Sequence, residues 1–260
     1  MSIPPLLDRK DPAALSVFAP SALLREARRQ KGLPAVDVPA VCILDPDGDL
    51  VRTLRHGGQA RRFDAWPCYH TTLDTFVLAG RTVGIVGCAV GAPFAVLVAE
   101  ELFASGCRLL VSLTSAGQIV PVGAPPYFVV IDRALRDEGT SYHYAAPAAF
   151  AAADPALVGA AFEALAGTGL RAHVGASWTT DAPFRETAEA IAAARAHGIL
   201  AVEMEAAALY TLARARGVAV LCLAHVTNTM GQAEQDFEKG AADGTAEALL
   251  VLGAIIRRLA

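Results

Sequence analysis

The chain has 260 residues and a net charge of −4, with 54% hydrophobic and 18% charged residues. That composition excludes disorder, which needs low hydrophobicity and high charge; 22 Gly and 15 Pro without a period exclude a collagen-like chain. A pI near 5.9 argues against a nucleic-acid binder, and no apolar run reaches the roughly 18 residues of a membrane span.

The densest basic run, Arg25-Glu26-Ala27-Arg28-Arg29-Gln30-Lys31, reads as the solvated face of a helix. Cysteines stand at 42, 68, 88, 107 and 222, widely spaced and without a CxxC. Neither a disulfide framework nor a metal site is expected from them. Cys88, Cys107 and Cys222 lie in apolar segments and read as core residues. Met1-Ser2-Ile3-Pro4-Pro5 lacks a basic n-region followed by an apolar stretch. The expectation is a chain without a signal peptide, in a reducing, cytoplasmic setting.

A helix is predicted over 21–31, capped by Ser21 and stopped by Gly32-Leu33-Pro34. A strand over 38–44 ends in the loop Asp45-Pro46-Asp47-Gly48-Asp49, and a short helix follows over 50–55. Strands over 76–80 and 81–86 lead into Gly87-Cys88-Ala89-Val90-Gly91 and a helix over 93–105. Leu109 to Leu113 is a nearly continuous aliphatic run, as in a buried parallel strand, and enters the loop Thr114-Ser115-Ala116-Gly117-Gln118. A strand over 127–131 precedes a helix over 155–166, capped by Asp154 with Pro155 in first place. Then come a strand over 171–177, a helix over 186–196, a helix over 203–215, a strand over 218–226 and a helix over 245–259. Alternation of strand and helix predicts one three-layer α/β domain over 1–260, with a mostly parallel twisted sheet and helices on both faces. Residues 1–35 form its N-terminal arm and helix. Ligands in such folds bind at the carboxyl ends of the strands.

The most informative segment is Ala201-Val202-Glu203-Met204-Glu205-Ala206-Ala207-Ala208-Leu209-Tyr210. Two acids in the first turn of a helix favour its dipole. In so apolar a stretch a carboxylate is unfavourable without partners, and a ligand with adjacent hydroxyls would supply them. Residues two apart on a helix do not share a face, so one Glu is free to meet a cleft while the other supports the helix start.

Val202-Glu203-Met204-Glu205-Ala206-Ala207-Ala208-Leu209 resembles the signature of the nucleoside phosphorylase superfamily. Gly87 to Leu102 is similar to that family's glycine-rich loop and following helix. Leu113-Thr114-Ser115-Ala116-Gly117-Gln118-Ile119 is similar to its strand-end loop, and Cys42 to Asp47 falls where its first phosphate loop lies. The order of segments over about 15–260 best resembles the uridine phosphorylase branch.

The resemblance implies reversible cleavage of a nucleoside N-glycosidic bond, with phosphate as co-substrate and no other cofactor. Glu205 would accept hydrogen bonds from the ribose 2′- and 3′-hydroxyls, Met204 would floor the sugar, and Glu203 would support them. The implied phosphate set is Gly91, Thr114, Ser115 and Arg52; the implied base set is Gly117, Thr180, Phe184 and Arg185. Asn228 takes the catalytic position where purine-cleaving members carry an acid that protonates the base. An amide cannot act as a general acid, so a pyrimidine is favoured over a purine. His225 beside it is either a substitute or a structural residue.

The chain departs from the family at several points. Where uridine phosphorylases hold the pyrimidine with Gln and Arg, it has Arg185 and Thr187; the three phosphate arginines correspond to Leu50, to Tyr69 or His70, and to Ser112. The family's subunit-bridging His corresponds to Ala19. Water in place of phosphate, or a non-catalytic nucleoside-binding relative, are the other readings. Trp178 and Phe184 are either stacking platforms or core. The family's members share sites across subunits, implying a homo-oligomer, from dimer to hexamer, with the arm and Tyr69-His70 as crossing segments. No nucleic acid or membrane is implied as a partner. Dinucleotide, Walker A, HExxH and GxSxG motifs do not occur.

Overall fold

The computed structural model describes residues 4–8, 10–230 and 244–260. Helix α1 (Pro20–Lys31) begins one residue before the expected Ser21 cap. Ala19 holds the cap position without a side-chain bond, and Pro20 fills the first helical place, where a missing N–H leaves nothing unpaired. Strand β1 (Val41–Asp45) is buried throughout, and α2 (Asp49–His56) follows the Gly48 turn. After the two-residue β2 (Arg61–Arg62), β3 (Asp74–Leu78) and β4 (Arg81–Gly87) form a hairpin. Its turn residues Ala79 and Gly80 both have positive φ, as a type I′ turn requires.

Helix α3 (Ala92–Ala104) leads to β5 (Leu109–Gln118). Residues 114–118, expected as a loop, are therefore strand. Long pairing with a later strand holds them extended. Then come β6 (Tyr127–Asp137), the short β7 (Phe150–Ala152) and α4 (Pro155–Leu165). Asp154 caps α4 as expected, accepting from the Ala156 N–H at 2.8 Å. Strand β8 (Ala172–Thr180) precedes α5 (Ala188–Ala196), which starts two residues later than expected because Thr187 is its cap. The expected helix over 203–215 is instead β9 (Ala201–Glu203) followed by α6 (Ala206–Arg216). Strand β10 (Ala219–Thr229) and α7 (Thr245–Leu259) end the chain.

The longest ladders, β5 with β10 and β6 with β8, are parallel. The expected α/β class and sheet hold, with one addition. Strand β10 is bonded to both β5 and β6, and β8 and β9 complete the path back to β5. Those five strands close on themselves, while β1, β4, β3 and β2 extend from β5 as an open wing. One apolar core lies under α3 and α6, including Val96, Leu102, Leu209 and Leu212. Another lies under α2, α4 and α7, including Leu54, Val158, Leu165 and Ile255. Burying these faces is what drives the layers together. Among the described residues no helix is long and apolar enough to cross a membrane.

Cys42, Cys68, Cys107 and Cys222 are buried, but Cys88 is exposed, against its expected core place. It sits at φ 62 in the turn out of β4, where its N–H donates to the Asp45 carbonyl at 3.0 Å. The Gly48 N–H donates to the same oxygen at 2.9 Å. Gly48 has φ 76, and a Cβ there would press on Cys88 Sγ and the Arg52 guanidinium. Gly48→Ala is therefore expected to lower stability by about 1–2 kcal/mol and Tm by roughly 2–8 °C. Thermal unfolding followed by circular dichroism checks this; an unchanged Tm would show that the turn absorbs a side chain.

Candidate active site

The carboxyl ends of β5, β9 and β10 meet the loops after β1, β4 and β8 around a cavity of about 320 Å³. Thr114, Ser115 and Gly117 reach it from β5, Val202 and Glu203 from β9, and Asn228 from β10. Pro46, Asp47 and Val90 close one side; Pro183, Phe184 and Glu186 close another. Met204 and Glu205, between β9 and α6, form part of its wall.

The two acids flank a strand-to-helix turn, not a helical turn, and their environments differ. Glu203 is 3% exposed and its carboxylate is surrounded by donors. Oε1 accepts from the Ser177 hydroxyl at 2.9 Å and from the Thr179 hydroxyl. Oε2 accepts from the N–H groups of Glu205 and Ala206, both at 2.7 Å. The Thr179 hydroxyl in turn accepts from the Ala207 N–H at 2.9 Å. Glu203 thereby satisfies donors at the start of α6 that no helix can satisfy for itself.

Glu205, 1% exposed, is left incomplete. Oε1 accepts from the Gly91 N–H at 2.7 Å, while Oε2 has no hydrogen-bond partner. Burial, and then the charge of Glu203, push its carboxyl up to about 8. Burial also raises Glu203, against the pull of its four donors.

The expected anion donors are already engaged. Gly91 N–H serves Glu205, and Ser115 N–H donates to Asp47 Oδ2 at 2.9 Å. Arg52 does not line the cavity; its guanidinium pairs with Asp49 and donates to the Asp47 carbonyl at 3.2 Å. Thr114 lies on the wall beside Glu205. Of the expected base set, Gly117 and Phe184 line the cavity, Phe184 fully exposed at its mouth. Thr180 is buried off the cavity, its hydroxyl accepting from the Ala182 N–H, and Arg185 is exposed and also off it. Trp178 is a core residue, its Nε1 donating to Asp137 Oδ2 at 2.9 Å. His225 is buried in a stack on Phe128, ring centroids 4.5 Å apart. Asn228 lies on the wall, its amide beside Met230.

Asp47, Glu186 and Met230 are cavity residues that the sequence reading left out. Asp47 stands within the loop already singled out, and Glu186 between the two positions compared with the family. Met230 is the residue a Cβ at Gly117 would strike, which explains glycine there.

Fold and site together define an α/β protein with a carboxylate-walled ligand cavity at its strand ends. Residues 30–257 match the sequence model of the phosphorylase superfamily. The uridine phosphorylase of Thermococcus kodakarensis is 30% identical over 194 residues, 66% of this chain and 68% of that protein. A guanosine phosphorylase of Halorubrum lacusprofundi is 29% identical over 139 residues, 54% of this chain and 58% of its own. Two crystal structures of uridine phosphorylase from Vibrio fischeri share the fold. One has a TM-score of 0.72 at 24% identity, covering 86% of this chain and 94% of that one. The other, complexed with 6-hydroxy-1-naphthoic acid, has a TM-score of 0.69 at 23% identity, covering 84% and 90%. This chain belongs to the phosphorylase superfamily. It is a nucleoside phosphorylase-like protein of the pentosyltransferase class, and the uridine phosphorylase-like order of its motifs holds.

The two acids should separate on mutation. Glu203→Ala leaves several buried donors unpaired, each worth about 1–3 kcal/mol, and should lower Tm by more than 5 °C, a drop of a few kcal/mol. Glu205 has a folded pKa of about 8 against an ordinary 4.5. Its contribution is fully present below the ordinary value and is lost as pH rises through the folded one. Glu205→Gln should therefore match the wild type near pH 4.5 and exceed it in stability above pH 8. Denaturant midpoints across that range read the difference; a gap that does not widen with pH would remove the buried ionisation.

Proposed function

We propose that this protein cleaves the N-glycosidic bond of a pyrimidine-like nucleoside and passes the ribosyl group to phosphate, giving free base and ribose 1-phosphate. The observation that carries the reading is the unpartnered Oε2 of buried Glu205 on the wall of a cavity of nucleoside size. An ionised carboxylate offers about four acceptor positions on its two oxygens. The 2′- and 3′-hydroxyls of ribose are the donors that would complete it, and their bonds favour its charged form.

Met204 gives an apolar floor to the sugar, and Glu203 holds the turn that presents Glu205. As the C–N bond breaks, the ribose gains oxocarbenium character. A fixed carboxylate in a water-poor site favours that developing charge. Asn228 hydrogen-bonds the base without protonating it, which favours a pyrimidine leaving group. The similarity to the uridine phosphorylase of Thermococcus kodakarensis supports the same choice. Phosphate is assigned to the side of the cavity near Gly91, Thr114 and Ser115, and it is the only co-substrate required.

Water as acceptor is a second reading, and Asp47 favours it. Its carboxylate already accepts the Ser115 N–H, where a dianion would otherwise bind, and it is placed to accept a proton from water. A homo-oligomer fits the arm, where Leu15, Val17 and Phe18 are exposed. The proposed setting is cytoplasmic.

Release of free base from uridine, with and without phosphate, tests the reaction. Phosphate-dependent release is expected, and release at the same rate in water alone would establish the hydrolytic reading. Glu205→Ala should reduce release by more than a hundredfold with Tm within a few degrees of the wild type; retained turnover would remove Glu205 from the sugar site.

A further inference from the structure

The base end of the cavity lacks the polar side chains the sequence assigned to it, Thr180 and Arg185. Arg185 is exposed and off the wall. The Thr187 hydroxyl accepts the Ala190 N–H at 3.2 Å as the cap of α5. Glu186, between them, does line the cavity. The opposite wall is mapped by strand pairing: Gly117 lies beside both Asn228 and Val202, and the Met230 N–H donates to the Gln118 carbonyl at 3.0 Å. Met230 and Val202 share an apolar cluster with Ala190 and Ile191 of α5. The segment that carries Glu186 is thereby held against the Gly117, Val202 and Met230 wall, away from the acceptor-side loops. Pro183, Val202, Met230 and Phe184 make this end apolar, and the polar side chains it offers are Glu186 and Asn228.

We propose that Glu186 reads the edge of the base, pairing its carboxylic acid with the adjacent lactam N–H and C=O of a uracil-like ring. The inference rests on the nucleoside reading of the site. A neutral carboxyl group presents a donor and an acceptor side by side. A lactam edge presents the matching acceptor and donor, so two hydrogen bonds close in one plane. A carboxylate presents acceptors alone and meets the lactam oxygen with repulsion. The protonation state of Glu186 therefore decides whether a lactam base binds.

Glu186 is suited to the neutral role. Its carboxyl group has no hydrogen bond or ion pair with any described residue, and burial alone pushes it up to about 7. The titratable groups that share the cavity are Asp47 on the loop after β1, Glu203 at the end of β9 and Glu205 before α6. All are acids, and none opposes protonation of Glu186. Asn228 from β10 is uncharged, and Arg185 lies outside the cavity.

The test is binding of uridine by titration calorimetry between pH 6 and 8.5, run without phosphate so that phosphorolysis does not proceed. Relative to Glu186→Gln, which carries the same Glu205 titration, wild-type affinity should weaken about thirtyfold across that range, as the protonated fraction of Glu186 falls, and wild-type binding at pH 8 should take up about one proton more than that of the variant. Glu186→Gln keeps one donor and one acceptor and does not titrate; it should bind within a few-fold of the wild type at pH 6 and keep only the pH dependence that Glu205 contributes. Glu186→Ala should bind at least tenfold more weakly at pH 6. Equal affinity in Glu186→Ala, or the same pH dependence in Glu186→Gln, would overturn the proposal. Glu205→Ala separates it from the wider reading. Uridine binding that needs Glu205 but ignores Glu186 overturns the base assignment alone, whereas binding that ignores both overturns the sugar assignment as well.

Discussion

The Glu203 carboxylate is the fixed point of this molecule. It joins β8, through the Ser177 and Thr179 hydroxyls, to the start of α6, through two backbone N–H groups. Because every lone-pair direction is engaged, the charge is buried without being stranded. The turn it fixes sets where Glu205 stands, and the Gly91 N–H then ties that residue to the start of α3. Two helices of one layer are thus registered against the sheet by two acids. One acid is complete within the fold. The other is not, and the incomplete one faces the cavity, the pattern expected where local stability has yielded to function.

Much of this was legible in the sequence. Order of motifs, helix stops and the Glu-Met-Glu run pointed to the layers and to the family, and α7 spans its expected residues. The failures have particular causes. Strand β9 is three residues long, too short for a period to show, and the apolar helix behind it masks it. Residues 114–118 look like a loop because they mix small and polar side chains. They are strand because β10 pairs along them to Gln118, a contact between residues over a hundred positions apart. Closure of the five-strand ring has the same origin. It depends on β10 finding partners on both sides, which alternation of elements does not encode.

Side-chain errors at the site followed a different logic. Arg185 drew attention as the charged residue in a base loop, but a short helical turn over Pro183–Arg185 turns it outward and leaves Glu186 on the cavity. Charge type suggested the wrong neighbour, and a one-residue rotation of the backbone decided the matter. Arg52 was drawn off by Asp49, three residues away on the same helical turn, at the spacing where such pairs form readily. Cys88 resembled core by its neighbours, yet lies where the chain turns back over Asp45 with positive φ.

The Gly91 amide has a wider consequence. It is one donor with two claimants: the Glu205 carboxylate that holds it now, and any anion that enters the acceptor side. A ligand whose hydroxyls draw Glu205 toward the sugar loosens its hold on that amide and makes it available. An anion that takes the amide releases Glu205 toward the sugar. Each event lowers the free energy of the other by the same amount, since coupling between two bound species is reciprocal. In the proposed reaction the sugar and acceptor halves would then be one thermodynamic unit, and saturation by either partner would change the apparent affinity of the other without any movement of the sheet.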